Sequence, residues 1–285
     1  MIKSIITLIS DYCGVVNESS VRTNFALIYE LIDEAIGNVI RGELNGRIKI
    51  KSFLNKTTQV EIGFTPIIVG KDNSKFQYQK GITIDDCNFH ANCDKTRFER
   101  QHIVSLFPPK GEFDLMNYRM SSPNLDAPFR IIPKIDNIKK SFISLKIKVQ
   151  SNFSEFISAR NVLIYFNVPD EVINIPHDFS TGMEQKLFFE KQKRKVTWKI
   201  NKFFGQSEQV LDCSLILQKQ LSNIKKIKNQ IGDICMEFEI PFYSSSNIQI
   251  KTLNTIQTLE KKKKKKTPIK YIRYVSVSKS YFQKL

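Results

Sequence analysis

From about residue 42 onward, apolar and polar side chains alternate along the chain. Ile48, Ile50, Ser52 and Leu54 fall on one face of the stretch RIKIKSFL, with Lys49 and Lys51 on the other. The same two-residue period runs through Ile143, Leu145, Ile147 and Val149, through Val162, Ile164, Phe166 and Val168, and through Leu211, Cys213, Leu215 and Leu217. Met236, Phe238 and Ile240 alternate with Glu237 and Glu239. Successive side chains of a strand point to opposite faces, so this pattern predicts antiparallel sheets with one buried and one solvated face. About 240 residues of such strands fit a β-sandwich or a pair of them. No helical pattern recurs between the strands, which disfavours a parallel α/β architecture, and no internal repeat is present.

The period is different only near the N-terminus. In 17–37, Val21, Phe25, Ile28, Ile32 and Ala35 recur at three-to-four spacing and form one apolar stripe. Asn17, Ser19 and Ser20 offer N-caps, Glu18 suits the positive end of the helix dipole, and Gly37 is a natural stop. A shorter helix is predicted within 1–13.

Composition narrows the class. An apolar share of 41% and 21 Phe in 285 residues suffice for a packed core, which excludes a disordered chain. The apolar runs reach about ten residues, short of a bilayer-spanning helix. Met1–Ser10 lacks a small-residue cleavage site, so no secretory leader is predicted. Five scattered cysteines (Cys13, Cys87, Cys93, Cys213 and Cys235) then read as free thiols. Against 28 Asp+Glu stand 44 Lys+Arg, a net charge of +16 that calls for an acidic partner such as nucleic acid, anionic lipid or acidic protein. Its densest stretch is the run Lys261, Lys262, Lys263, Lys264, Lys265 and Lys266; KQKRK at 191–195 and KKIK at 225–228 follow. Aromatic residues do not interleave with these runs as a base-stacking platform would.

Cys87, His90 and Cys93, with His102 beyond, have the ligand types of a zinc site. Against this, the cysteines are six apart without a second paired motif, and Cys87 and His90 would face opposite sides of a strand. Asp85 and Asp86 are adjacent and would diverge likewise, a poor arrangement for paired acid–base work. His177, after Ile175-Pro176, reads as a loop histidine without a nucleophile motif. Neither a Gly-x-Ser-x-Gly elbow nor a phosphate loop is present. These absences argue against an enzyme, and no cofactor is predicted.

Several blocks, in order, carry a family likeness. They are DYCG at 11–14, NFALIYELIDE at 24–34, GRIKIKSFL at 46–54, DDCNFH at 85–90, FPPKGEFDLMNYR at 107–119, PFRI at 128–131, WKI at 198–200, FEIP at 238–241, YIRYV at 271–275 and SY at 280–281. Together they resemble the medium (mu) subunits of clathrin-type adaptor complexes, and the Cys-Asn-Phe-His and Met-Asn-Tyr-Arg-Met wording is similar to that of the fourth complex. The resemblance implies a mainly β, elongated mu homology domain of two antiparallel sandwich subdomains. The first would span 42–128 plus 246–285, with 129–245 inserted in it, after the last helices of a shortened longin-like domain in 1–41. It also implies that the Cys/His block holds no metal.

The function implied is vesicle-mediated protein transport. A cytosolic tail bearing a Tyr-x-x-Φ signal would lie along the strand expected at Tyr271–Val275 by β-augmentation. Tyr271 would be the aromatic wall, Arg273 the cation stacked on the signal tyrosine, and Ile272 an aliphatic contact near Φ. Two parts of the pocket are missing. Ile67 stands where the family has a lysine, and a strand bearing an aspartate has no counterpart after Gly37, so binding of ordinary Tyr-x-x-Φ signals should be weak or absent. A second peptide site, serving a longer tyrosine signal in the fourth complex, matches at Phe89 and Glu99, with Asn117 in place of an arginine; Phe89 reads equally as a core aromatic. Implied partners are large and small adaptor subunits and cargo tails; the lysine run reads either as a solvated loop or as an attraction to an anionic membrane of the trans-Golgi network, endosomes or coated vesicles. A scaffold subunit without peptide binding, or a polyanion-binding sandwich, are the alternatives.

Overall fold

In the computed structural model, residues 42–70, 81–121, 127–138, 141–180, 184–218, 229–257 and 270–284 are described. The predicted helices in 1–37, and the helical remainder of a longin-like domain with them, lie outside these residues, as does the lysine run 261–266.

The alternating stretches form strands, and two compact units result, one from 42–121 with 244–257 and 270–273, the other from 127–243 with 274–284. In the first unit, β1 (Glu43–Ser52) pairs with β8 (Gly111–Ser121), which pairs on its other side with β5 (Asp86–Phe89). A second sheet has the order β18 (Ile250–Gln257), β2 (Thr58–Phe64), β7 (Ile103–Leu106) and β6 (Cys93–Asp94). The short β3 (Ile67–Val69) and β4 (Ile82–Ile84) run parallel, an exception to the antiparallel expectation. Val60, Ile62, Phe64, Val104, Leu106, Leu115 and Met116 are buried in its core, together with Phe98 of the one-turn helix α1 (Phe98–Gln101). On β1 the lysines at 49 and 51 are exposed while Ile48 and Ile50 turn inward, as their alternation requires.

The second unit is a sandwich. One sheet has the order β12 (Val172–Asn174), β16 (Glu208–Leu217), β10 (Phe142–Ser151) and β9 (Phe129–Ile138), with β13 (His177–Phe179) also on β16. The other has the order β14 (Gln185–Glu190), β15 (Lys195–Phe204), β11 (Ser158–Asn167), β17 (Ile234–Pro241) and β19 (Val275–Gln283). The four predicted apolar stripes of this unit are its core: Ile143 to Val149, Val162 to Val168, Leu211 to Leu217 and Met236 to Ile240. Each buried aliphatic or aromatic side chain contributes about 1.5–3 kcal/mol, which is what brings two sheets from distant chain segments together. His177 is not in a loop as its sequence suggests. It opens β13 opposite Cys213, and its Nδ1 lies 3.1 Å from the Ile175 carbonyl.

The resemblance implies that 246–285 belong to one subdomain as a block; in the structure 274–284 group with 127–243, because β19 is hydrogen-bonded to β17. Within the sandwich, the Tyr281 hydroxyl donates to the Phe129 carbonyl, and its ring meets Phe238 at 5.7 Å.

Candidate peptide-binding edges

The stretch expected to be the cargo strand, 271–275, is only partly a strand. β19 starts at Val275, opposite Pro241, and one further bond follows, from the Phe242 amide to the Tyr274 carbonyl at 2.7 Å. Phe242 then takes φ +62, a left-handed conformation that turns the chain out of the ladder. The pairing therefore ends, and 271–273 lie outside any strand. Tyr271 is 73% exposed and Ile272 37%, and Arg273 is exposed as well. Among the described residues none of these three makes a hydrogen bond, whereas the neighbouring Lys270 ammonium donates to the Leu253 carbonyl. Phe242, itself 60% exposed, carries no sequence signal that marks it as the residue ending the ladder.

β19 is an edge strand, with β17 on one side. Val275 and Val277 lie exposed along it, two residues apart and thus on one face. Ile67, at the position of the family lysine, is core: it is 4% exposed and its amide donates to His102 Nδ1 at 3.4 Å.

The second predicted group is on the first unit. Phe89 ends the edge strand β5 and is partly buried, meeting Phe98 edge-on at 4.8 Å. Glu99 follows Phe98 in α1 and is exposed, so Phe98 links the two predicted residues. Asn117 is exposed on β8, opposite Asn88 and one position from the partner of Phe89.

The cysteine–histidine block is spread out. Cys87 is on β5 and Cys93 on β6, in different sheets. His90 Nδ1 accepts from the Asn92 amide at 3.2 Å. Burial pushes the Cys87 thiol up, and Cys93 up to about 11, which favours the neutral thiol over a metal-binding thiolate. Among the described residues no three His, Cys, Asp or Glu side chains gather as a ligand set, and no helix is long and apolar enough to cross a membrane.

Known structures share this arrangement of sheets. The yeast delta-COP-I mu-homology domain complexed with Dsl1 WxWxV peptide matches 76% of this chain and 82% of its own, with a TM-score of 0.52 and 14% identity. A homology model of the full-length AP-3 complex in an intermediate open conformation matches 99% of this chain and 80% of that one, with a TM-score of 0.60 and 13% identity. The fold is thus that of a mu homology domain. The profile of the Adaptor complexes medium subunit family matches residues 29–285, and the chain belongs to that family. The AP-4 complex subunit mu of Arabidopsis thaliana is 23% identical over 374 residues, covering 100% of this chain and 81% of the relative. The AP-2 complex subunit mu of Caenorhabditis elegans is 26% identical over 252 residues, covering 86% of this chain but 56% of the relative. The AP-4 complex subunit mu of Dictyostelium discoideum is 25% identical over 291 residues, and the chain spans 53% of its length.

Proposed function

We propose that this chain is an adaptor-complex medium subunit that takes a tyrosine-based sorting signal from the cytosolic tail of a membrane cargo protein. The observation that carries this reading is the exposed Tyr271-Ile272-Arg273 strip, which lies outside any strand and makes no hydrogen bonds among the described residues. An extended peptide pairs with such an unpaired backbone through main-chain bonds, while an aromatic and a guanidinium hold the signal's ring by stacking and cation–π attraction. The delta-COP-I neighbour in complex with a peptide is consistent with a fold used for short motifs. Large and small adaptor subunits are the expected partners, with an anionic trans-Golgi, endosomal or coated-vesicle membrane beneath and the lysine run 261–266 facing it. The domain organisation that accompanies this reading is a mu homology domain over 42–285.

A specific observation favours the scaffold reading as the second. Ile67 is buried where a lysine would line the pocket, so the ordinary Tyr-x-x-Φ signal loses a polar contact. Titration of a Tyr-x-x-Φ peptide and of a longer tyrosine-signal peptide against wild type and Arg273→Ala separates the readings. Weaker binding by the variant supports the edge pocket. Equal binding overturns it, and no binding of either peptide favours the scaffold.

A further inference from the structure

Three connections between the two sheets of the first unit meet at one end. Ser52 pairs with Gly111, so the turn 53–57 leaving β1 lies beside the turn 107–110 entering β8. Val60 and Cys93 both pair with Leu106, which brings the turn 90–92 alongside. At this end Phe53 is 80% exposed and Phe107 48%, each at the first position of its turn. Lys51, Lys56 and Lys110 are exposed around them, and the Lys51 ammonium stands 5.6 Å from the Phe53 ring centroid.

The nearby acids are already engaged. Glu112, directly opposite Lys51, gives its carboxylate to Lys49 at 3.1 Å. Asp94, opposite Ser105, accepts from the Thr96 amide at 3.0 Å and its hydroxyl at 2.8 Å. Neither turn 53–57 nor turn 107–110 contains an acidic residue.

We propose that this end is a membrane-contacting tip: Phe53 and Phe107 enter the headgroup boundary of an anionic bilayer, and Lys51, Lys56 and Lys110 face its acidic headgroups. The proposal rests on the membrane partner named above and gives it a place in the folded domain. Two phenylalanines held at turn tips leave apolar area in water that a bilayer interface would cover. Lysines flanking them add attraction to acidic lipid. Rings that project from turns suit a deformable surface better than a rigid partner offering no pocket. A second copy of the chain is disfavoured by mutual repulsion at +16.

The test is flotation of the full chain with vesicles of phosphatidylcholine alone or containing about 30 mol% phosphatidylserine, a typical anionic surface. Phe53→Trp supplies a reporter, since Trp198 is the single native tryptophan and is fully buried. We expect its emission to shift to the blue with anionic vesicles and hardly at all with neutral ones. The pair Phe53→Ser and Phe107→Ser should lower partitioning about tenfold or more without altering circular dichroism, because both rings are solvent-facing. Replacing 261–266 by serine should weaken attraction yet keep the blue shift, and loss of the shift there would overturn the tip as an independent contact. Undiminished partitioning of the double variant, or an unmoved reporter emission in the Phe53→Trp protein, overturns the proposal. A shift with polyglutamate but not with vesicles does so too, and assigns the tip to an acidic protein segment.

Discussion

The Tyr118 ring lies directly across Gly46. The two face each other on β8 and β1, and a Cβ at Gly46 would fall 1.8 Å from Tyr118 Cζ. The ring continues inward to place its hydroxyl 2.7 Å from Ser246 Oγ, a serine 3% exposed that also lies 3.2 Å from Ser244 Oγ. Gly46→Val should displace the ring and cost about 2–4 kcal/mol, in the range of core disruption. Tyr118→Phe should cost only about 1 kcal/mol, the net worth of one hydrogen bond. Urea denaturation of the two variants would establish this order; equal losses would deny the overlap.

In the sandwich, the Trp198 indole donates to Gln185 Oε1 at 2.9 Å, and Gln185 Nε2 donates to Gln209 Oε1 at 2.8 Å. This chain of bonds runs from one sheet to the other, and Gln209 is 1% exposed. Gln185→Ala should leave the indole N–H without this acceptor and destabilise by about 1–3 kcal/mol. Gln185→Glu keeps an acceptor for the indole but takes the donor from Gln209, and should be destabilising as well. Thermal unfolding followed by Trp198 fluorescence reads both.

Stability should fall at alkaline pH. Burial pushes the Tyr281 phenol up to about 12 and the Cys213 thiol up to about 12. The folded state holds these protons more tightly than the unfolded chain, whose thiol and phenol titrate near pH 9 and 10. The contribution is therefore whole below about pH 9 and declines from there toward about pH 12. Cys213→Ala should reduce the part that begins near pH 9, to which the half-buried Cys87 and Cys93 thiols also contribute, and leave the part that begins near pH 10. Denaturation midpoints across this range would show the change in slope.

Phe242 stands at φ +62 with its ring 60% exposed, so it holds a costly backbone conformation with little burial in return. Phe242→Gly should be neutral or stabilising by up to about 1 kcal/mol, since glycine adopts this region without a Cβ clash. A loss above about 1 kcal/mol in chemical denaturation would mean that the ring packs more than its exposure implies.

Tyr271→Ala and Arg273→Ala should leave the melting midpoint within about 1 °C of wild type, because exposed side chains without partners contribute little to folding. If the edge pocket operates, both should weaken tyrosine-signal peptide binding about tenfold, as expected for loss of a desolvated cation–π contact. A fall in the melting midpoint with peptide binding unchanged would make them structural residues instead.

What was legible in the sequence was the period. Strands such as Phe142–Ser151 and Glu208–Leu217 alternate in burial over their whole length, and the stripes Ile143 to Val149 and Leu211 to Leu217 fall on the buried positions, although the buried set also takes in the polar Ser151 and Gln209. Short strands carry no such statistics: His177–Phe179 has three residues, and its existence depends on β16 being there to pair with. Family wording placed Gly46 and Tyr118 in two diagnostic blocks, but not that one exists to admit the other, because the contact spans 72 positions of sequence. At the cargo edge, Tyr271 and Arg273 were visible as residue types. Their release from the ladder was not, since it is decided by the backbone of Phe242, on another strand's end.

The pairing of β19 with β17 also sets an order of assembly during synthesis. Ile234–Pro241 leaves the ribosome more than thirty residues ahead of Val275–Gln283, with β18 of the other unit made in between. Until β19 arrives, β17 is an open, apolar-backed edge, the kind of surface that invites pairing with a foreign strand. A nascent chain stalled before residue 275 should therefore be a strong client for chaperones, and release of the next nine residues should end that dependence.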